Sequence, residues 1–162
     1  MQNVLCIDLG TTTGFALATS SFIHKTGSNV QLIEGGSVSF KPSKYDGGGM
    51  RYLKFSQWLD ELKLFHRFDL VYFESVRKHS STDAAHVYGG LMATLTTWCE
   101  RNHIAYAGVP VGTIKKHITG KGNASKDEVI AAVVAKGHKP KDDNHADALA
   151  LLDLIISTNG NL

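Results

Sequence analysis

No apolar run in this sequence approaches the roughly 20 residues that a membrane-spanning helix needs, and no basic segment precedes the first apolar stretch. The expectation is a soluble protein of the cytoplasm. Cysteine is scarce. Cys6 and Cys99 stand far apart, each inside an apolar pattern, which argues against a disulfide framework or a thiolate metal site and places both in a core. Repeats, low-complexity tracts and linker-like segments are absent, so one domain is expected over residues 1–162. With 43% hydrophobic residues, 162 residues can bury one sizeable core but not two lobes around a cleft. A strong charge of one sign is lacking too: 17 Lys and Arg against 15 Asp and Glu leave +2, too little to identify a nucleic-acid partner. Placement says more than the total, because cations gather between Lys115 and Lys141.

Residues 3–9 read as a buried strand, with a turn over 10–14, a hairpin partner over 15–19 and a third strand over 30–40. Pro42, Asp46 and three consecutive glycines make 41–49 a loop. Apolar residues at Leu53, Trp58, Leu59, Leu62 and Phe65 predict a helix over 50–66. A short strand over 70–73 then ends at Glu74, a polar loop covers 77–83, and a helix spans 84–101. After a fifth strand over 104–109 come helices at 111–118, 125–136 and 143–157, the second opened by Ser125 and Glu128 at capping-box spacing. Three strands joined by short turns, followed by alternating helix and strand, predict an α/β fold. Its mixed sheet has five strands, three antiparallel and then two parallel, flanked by helices.

The carboxylates carry the chemistry. Asp8 ends a buried strand just before Gly10, where it either projects from the sheet edge toward a cation or caps the turn. Glu74 ends a second strand after Val71, Tyr72 and Phe73, where a buried charge is costly without a partner. Asp143 and Asp147 lie four apart on one helix face, with Asn144 on a neighbouring track. Such like charges repel unless a cation sits between them, although Asp143 alone also reads as an N-cap. Oxygen donors of this kind suit magnesium or manganese, and two such ions about 4 Å apart clamp an in-line phosphoryl displacement. His145 is a candidate for orienting water or protonating a leaving oxygen, or else faces solvent.

Several segments together resemble the RuvC family of Holliday junction resolvases, within the RNase H-like superfamily. They are Ile7-Asp8-Leu9-Gly10 with Thr13-Gly14, then Phe73-Glu74-Ser75-Val76, and the run from Asp142 to Ala150. Gly89-Gly90, Ile114-Lys115-Lys116, the Thr119 to Gly122 segment and the Ala124 to Val129 segment add to the likeness, which covers nearly the whole chain apart from 41–49. The resemblance implies an RNase H-like nuclease, a homodimer that cuts four-way DNA junctions symmetrically in recombination and repair with two magnesium ions per site. Carried over by position, Asp8, Glu74 and Asp147 match metal-binding carboxylates, while Asp143, Asn144 and His145 compete for the fourth place. Lys115 and Lys126 match basic residues near the cut, and Lys126 is also a catalytic candidate. Lys116 and Lys121 extend the expected DNA-binding set.

Arg77 and Lys78 follow Glu74 where some cellular members carry an aromatic residue, and cations there favour phosphate contacts over base stacking. The implied activity is therefore broader and phage-like, extending to flaps and Y-junctions, in a host cytoplasm if a phage encodes the chain. Two competing readings remain open. The Ile7 to Gly14 segment also looks like the first phosphate loop of actin-like and sugar-kinase ATPases, and Asn144 leaves room for a non-catalytic junction-binding protein.

Overall fold

A computed structural model describes residues 3–23 and 28–158. Residues 1–2, 24–27 and 159–162 of the expected domain lie outside the described residues. Five strands form one sheet: β1 (Val4–Asp8), β2 (Thr12–Ile23), β3 (Ser28–Ser39), β4 (Leu70–Ser75) and β5 (Ala105–Pro110). Their order is β3-β2-β1-β4-β5, with β1–β2 and β2–β3 antiparallel and β1–β4 and β4–β5 parallel. That is the mixed sheet the alternation of elements predicts. The helices are α1 (Met50–Phe65), α2 (Thr82–Arg101), α3 (Val111–Thr119), α4 (Lys126–Ala135) and α5 (Asp143–Thr158).

Because side chains alternate across a strand, the sheet divides its apolar residues between two cores. Leu5, Ile7 and Leu17 face one side and pack with Phe55 and Leu59 of α1 and with Leu91, Leu95 and Trp98 of α2. Val4, Cys6, Ala16 and Ala18 face the other, against Ile114, Val129, Val133 and the apolar length of α5. Cys6 and Cys99 are both free and buried. Leu91, Leu95 and Trp98 of α2 are wholly buried within this chain. Trp98 keeps its indole satisfied by donating to Asp60 at 2.8 Å.

Helix ends are set by local chemistry. Ser81 accepts from the Ala84 amide at 3.1 Å, so α2 opens two residues before the expected position 84. The capping box at α4 is complete, Ser125 accepting from the Glu128 amide and the Glu128 carboxylate from the Ser125 amide. Gly120 closes α3 in the left-handed conformation, φ 82°. Asp142 rather than Asp143 caps α5, accepting from the His145 amide at 2.8 Å while Ser37 of β3 donates to the same carboxylate oxygen at 2.5 Å. No described helix is long and apolar enough to cross a membrane.

One expectation is corrected in a way that matters for the site. Residues 10–14 do not all belong to a turn: β2 starts at Thr12, and Gly14 lies inside it, paired with Asp8 across the β1–β2 ladder. A side chain on Gly14 would bring Cβ within 1.9 Å of the Asn144 backbone oxygen, so this glycine lets the first turn of α5 rest directly on β2.

Candidate metal centre at the sheet edge

The C-terminal ends of β1 and β4 are neighbours in a parallel pair, so Asp8 and Glu74 emerge side by side at one edge of the sheet. Contact of α5 with Gly14, directly across from Asp8, brings the first turns of that helix to the same edge. Asp147 then joins the two strand-end carboxylates from a third element. Tyr88 of α2 fixes the chain just after β1's neighbour leaves the sheet, donating to the Glu74 carbonyl at 2.9 Å and accepting from the Val76 amide at 3.2 Å.

The three carboxyls disturb one another. Burial pushes Asp8 well above the ordinary aspartate range, and the charges of Glu74 and Asp147 push it further. Burial, then the charge of Asp147, raises Glu74 to about 7. Asp147 rises to about 6, chiefly through burial, although Lys115 and Lys126 pull it back. The Asp8 and Glu74 carboxyls lie close enough to share a proton between them. Raised proton affinity, together with the nearby charges of Lys115 and Lys126, is thus how this edge tolerates its acids.

That behaviour is what a donor set for a hard divalent cation shows without one: oxygen donors only, half-buried, each destabilised by its neighbours' charge. As placed, no three of the described His, Cys, Asp and Glu side chains stand as a ready-made metal-holding group. The Asp8 and Glu74 carboxyls instead interact with each other. The residues fit the magnesium or manganese expected from the donor types.

Other candidates divide into those the fold brings here and those it does not. Asp143 lies at the rim, its carboxylate 2.5 Å from the Lys126 ammonium, which holds it below the usual range, and its charge is felt by Asp147. Asn144 turns its amide to Asp143, donating at 3.4 Å. His145 is not brought to the carboxylates. It is buried, its Nδ1 accepts from the Lys141 amide at 3.1 Å, its Nε2 meets no partner and packs toward Gly35 of β3, and the charges that act on it are Lys141, Asp142 and His138. Two residues from Asp147 on a helix, it points to a different side.

Lys115 and Lys126 are the cations whose charges reach the acids. They differ in freedom. Lys115 donates to the Ala124 carbonyl at 2.7 Å and so ties α3 to the approach of α4, whereas Lys126 is largely exposed and bound only through Asp143. Lys121 is paired with Glu128 at 3.1 Å, and Lys116 lies exposed beside Pro110, Gly112 and Thr113. Arg77 and Lys78 stand exposed in the loop after β4. Sequence reasoning missed Tyr88, Asp142 and the contact role of Gly14. Only the apolar spacing of Tyr88 with Leu91 and Leu95 hinted at any of them.

No family model matches this chain, and no curated protein matches its sequence. Solved structures do. A Thermus thermophilus RuvC structure superposes with a TM-score of 0.75 at 19% identity, covering 98% of this chain and 97% of the other. The same organism's RuvC in complex with a Holliday junction substrate gives 0.74 at 21% identity, over 93% and 90%. A yeast mitochondrial Holliday junction resolvase gives 0.61 at 14% identity, over 91% of this chain and 74% of that one. With a five-stranded sheet of this order and these strand directions, the chain has the RNase H-like fold of the RuvC resolvases.

Proposed function

We propose that this chain is a divalent-metal-dependent endonuclease that hydrolyses phosphodiester bonds in branched DNA, with the four-way junction as its principal substrate. The observation that carries the proposal is the meeting of Asp8, Glu74 and Asp147 from β1, β4 and α5 at one sheet edge, with the charges of Lys115 and Lys126 beside them. Structures of this fold include RuvC and a fowlpox virus resolvase, each in complex with Holliday junction DNA, the latter at a TM-score of 0.56.

Ionised Asp8, Glu74 and Asp147 would hold two magnesium ions, with manganese as a substitute and Asp143 as the fourth donor once Lys126 releases it. When bound, such a pair activates water and stabilises the departing oxygen. The chain's own contribution is placement and charge. Without cations, three carboxylates repel a phosphodiester, so the ammonium of Lys126 serves to draw the phosphate in and offset the charge that builds on it. Lys115, anchored on the Ala124 carbonyl, holds a fixed positive charge at the same edge. Water adds to phosphorus as the bond to the 3′ oxygen breaks, leaving a 5′ phosphate and a 3′ hydroxyl that a ligase can rejoin. Arg77 and Lys78 contact phosphates flanking the cut. Two copies of the chain, acting in the cytoplasm of a cell or phage-infected host, would nick opposite strands.

Rates on a four-way junction, a flap and a linear duplex of matched arm sequence test the substrate class. Junction and flap cut well above the duplex support the proposal. Equal rates on all three would reduce it to a nuclease without branch selectivity.

A further inference from the structure

Tyr45 is 85% exposed, the most exposed of the large apolar side chains described, and it sits in a loop that is built rather than loose. The Asp46 carboxylate accepts from the Ser43 amide at 2.8 Å and from Lys54 of α1 at 3.1 Å, which staples the turn to the helix. A Cβ added at Gly47, Gly48 or Gly49 would meet nothing within 4 Å, so the stretch that follows Tyr45 is not packed over on that side. Its base is tied to the site: the Phe40 amide donates to the Thr11 carbonyl at 2.8 Å, and Thr11 lies three residues beyond Asp8. The loop therefore leaves the sheet from the edge that carries the carboxylates. Phe40 is anchored beneath by edge-on packing with Phe55 at 5.3 Å. Lys44 places its ammonium 4.8 Å from the centre of the Tyr45 ring, covering one face and leaving the other to solvent, and Lys41 is exposed nearby.

An aromatic ring held out by a fixed turn, backed by a cation and flanked by another, has the makings of a stacking platform for an unpaired base. Stacking takes up the open ring face while the lysines meet the adjoining phosphates. We infer that Tyr45 stacks on an unpaired nucleotide at a DNA branch point, with Lys44 and Lys41 on its phosphates, so that this loop contributes to selecting branched over linear DNA. The inference rests on the branched-DNA reading above.

The test measures affinity for a four-way junction carrying two unpaired nucleotides at its centre and for a linear duplex, with calcium replacing magnesium to suppress cleavage, in Tyr45→Phe, Tyr45→Leu and the unaltered protein. Tyr45→Leu is expected to lose roughly 5- to 150-fold on the junction while Tyr45→Phe keeps its affinity. Duplex affinity, melting temperature and the salt dependence of binding stay unchanged, because no charge and no buried contact is removed. Junction binding by Tyr45→Leu equal to that of the unaltered protein overturns the stacking role and leaves the nuclease proposal intact. An unaltered protein that fails to prefer the junction over the duplex overturns the stacking role and the branched-DNA substrate class alike.

Discussion

Gly14 and Asn144 touch backbone to backbone, and that contact sets where α5 lies: a Cβ at position 14 would fall 1.9 Å from the Asn144 oxygen and 2.9 Å from the His145 nitrogen. Gly14 is also the ladder partner of Asp8. One glycine thus couples the strand that ends in Asp8 to the helix that carries Asp147, and neither colliding atom belongs to a side chain that can swing aside.

Gly14→Ala is therefore expected to push α5 off the sheet. We predict a loss of stability of about 1–3 kcal/mol, as for overpacking elsewhere, together with loss of cleavage larger than the stability change explains. Thermal melting and nicking rates check both. An alanine variant with the melting temperature and activity of the unaltered protein would show that α5 is not seated through this contact.

The raised carboxyls predict the pH behaviour of the metal-free protein. A group whose pKa is higher in the folded state binds more protons there, so its contribution to stability is complete below the unfolded value near 4 and is lost as pH rises through about 6 for Asp147 and about 7 for Glu74. Asp8→Asn removes the acid whose pKa burial and the charges of Glu74 and Asp147 raise, so in EDTA the variant should gain stability on the unaltered protein as pH rises above the ordinary carboxylate range. Comparing the two proteins cancels the titration of groups elsewhere, such as Asp153 beside His117.

Divalent ions should release the same protons. Calorimetry of magnesium binding near pH 6.5, in buffers of different ionisation heat, is expected to show about one proton or more released per ion, and affinity should weaken as pH falls. Binding with no proton release would mean that Asp8, Glu74 and Asp147 are not the donors.

Lys115 and Lys126 should separate in their effects. Lys126→Ala is expected to weaken junction binding and to lower the slope of log affinity against log salt by about 0.9, with little change in melting temperature because Lys126 is exposed. Lys115→Ala should do the same to binding and also lower the melting temperature, since it abandons the Ala124 carbonyl. Unchanged salt slopes in both variants would remove these lysines from the DNA contact surface.

The positions of most strands and helices were legible because apolar runs, helical spacing and capping chemistry are local, although β2 is longer than the expected 15–19. The unbroken apolar runs of Val4–Asp8 and Leu70–Ser75 and the Ser125–Glu128 pair each act within a few residues. The strand-end positions of Asp8 and Glu74, and the shared face of Asp143 and Asp147, were legible for the same reason. What the sequence concealed depends on contacts between distant segments. Gly14 looked like a turn residue because its neighbour, Asn144, is far along the chain. Asp142 took the cap expected of Asp143 because Ser37 of β3 meets it there. His145 could not be assigned a side until the seating of α5 on β2 and β3 turned it away from the acids.

The most direct test is strand-labelled nicking of a synthetic four-way junction with magnesium by the unaltered protein, Asp8→Asn and Asp147→Asn, alongside junction binding by each. The account predicts paired symmetrical nicks from the unaltered protein, no nicks from either variant, and binding retained by both because the phosphate contacts remain. Nicking by Asp8→Asn at the rate of the unaltered protein, or an unaltered protein that binds junctions without cutting any branched DNA, would contradict it.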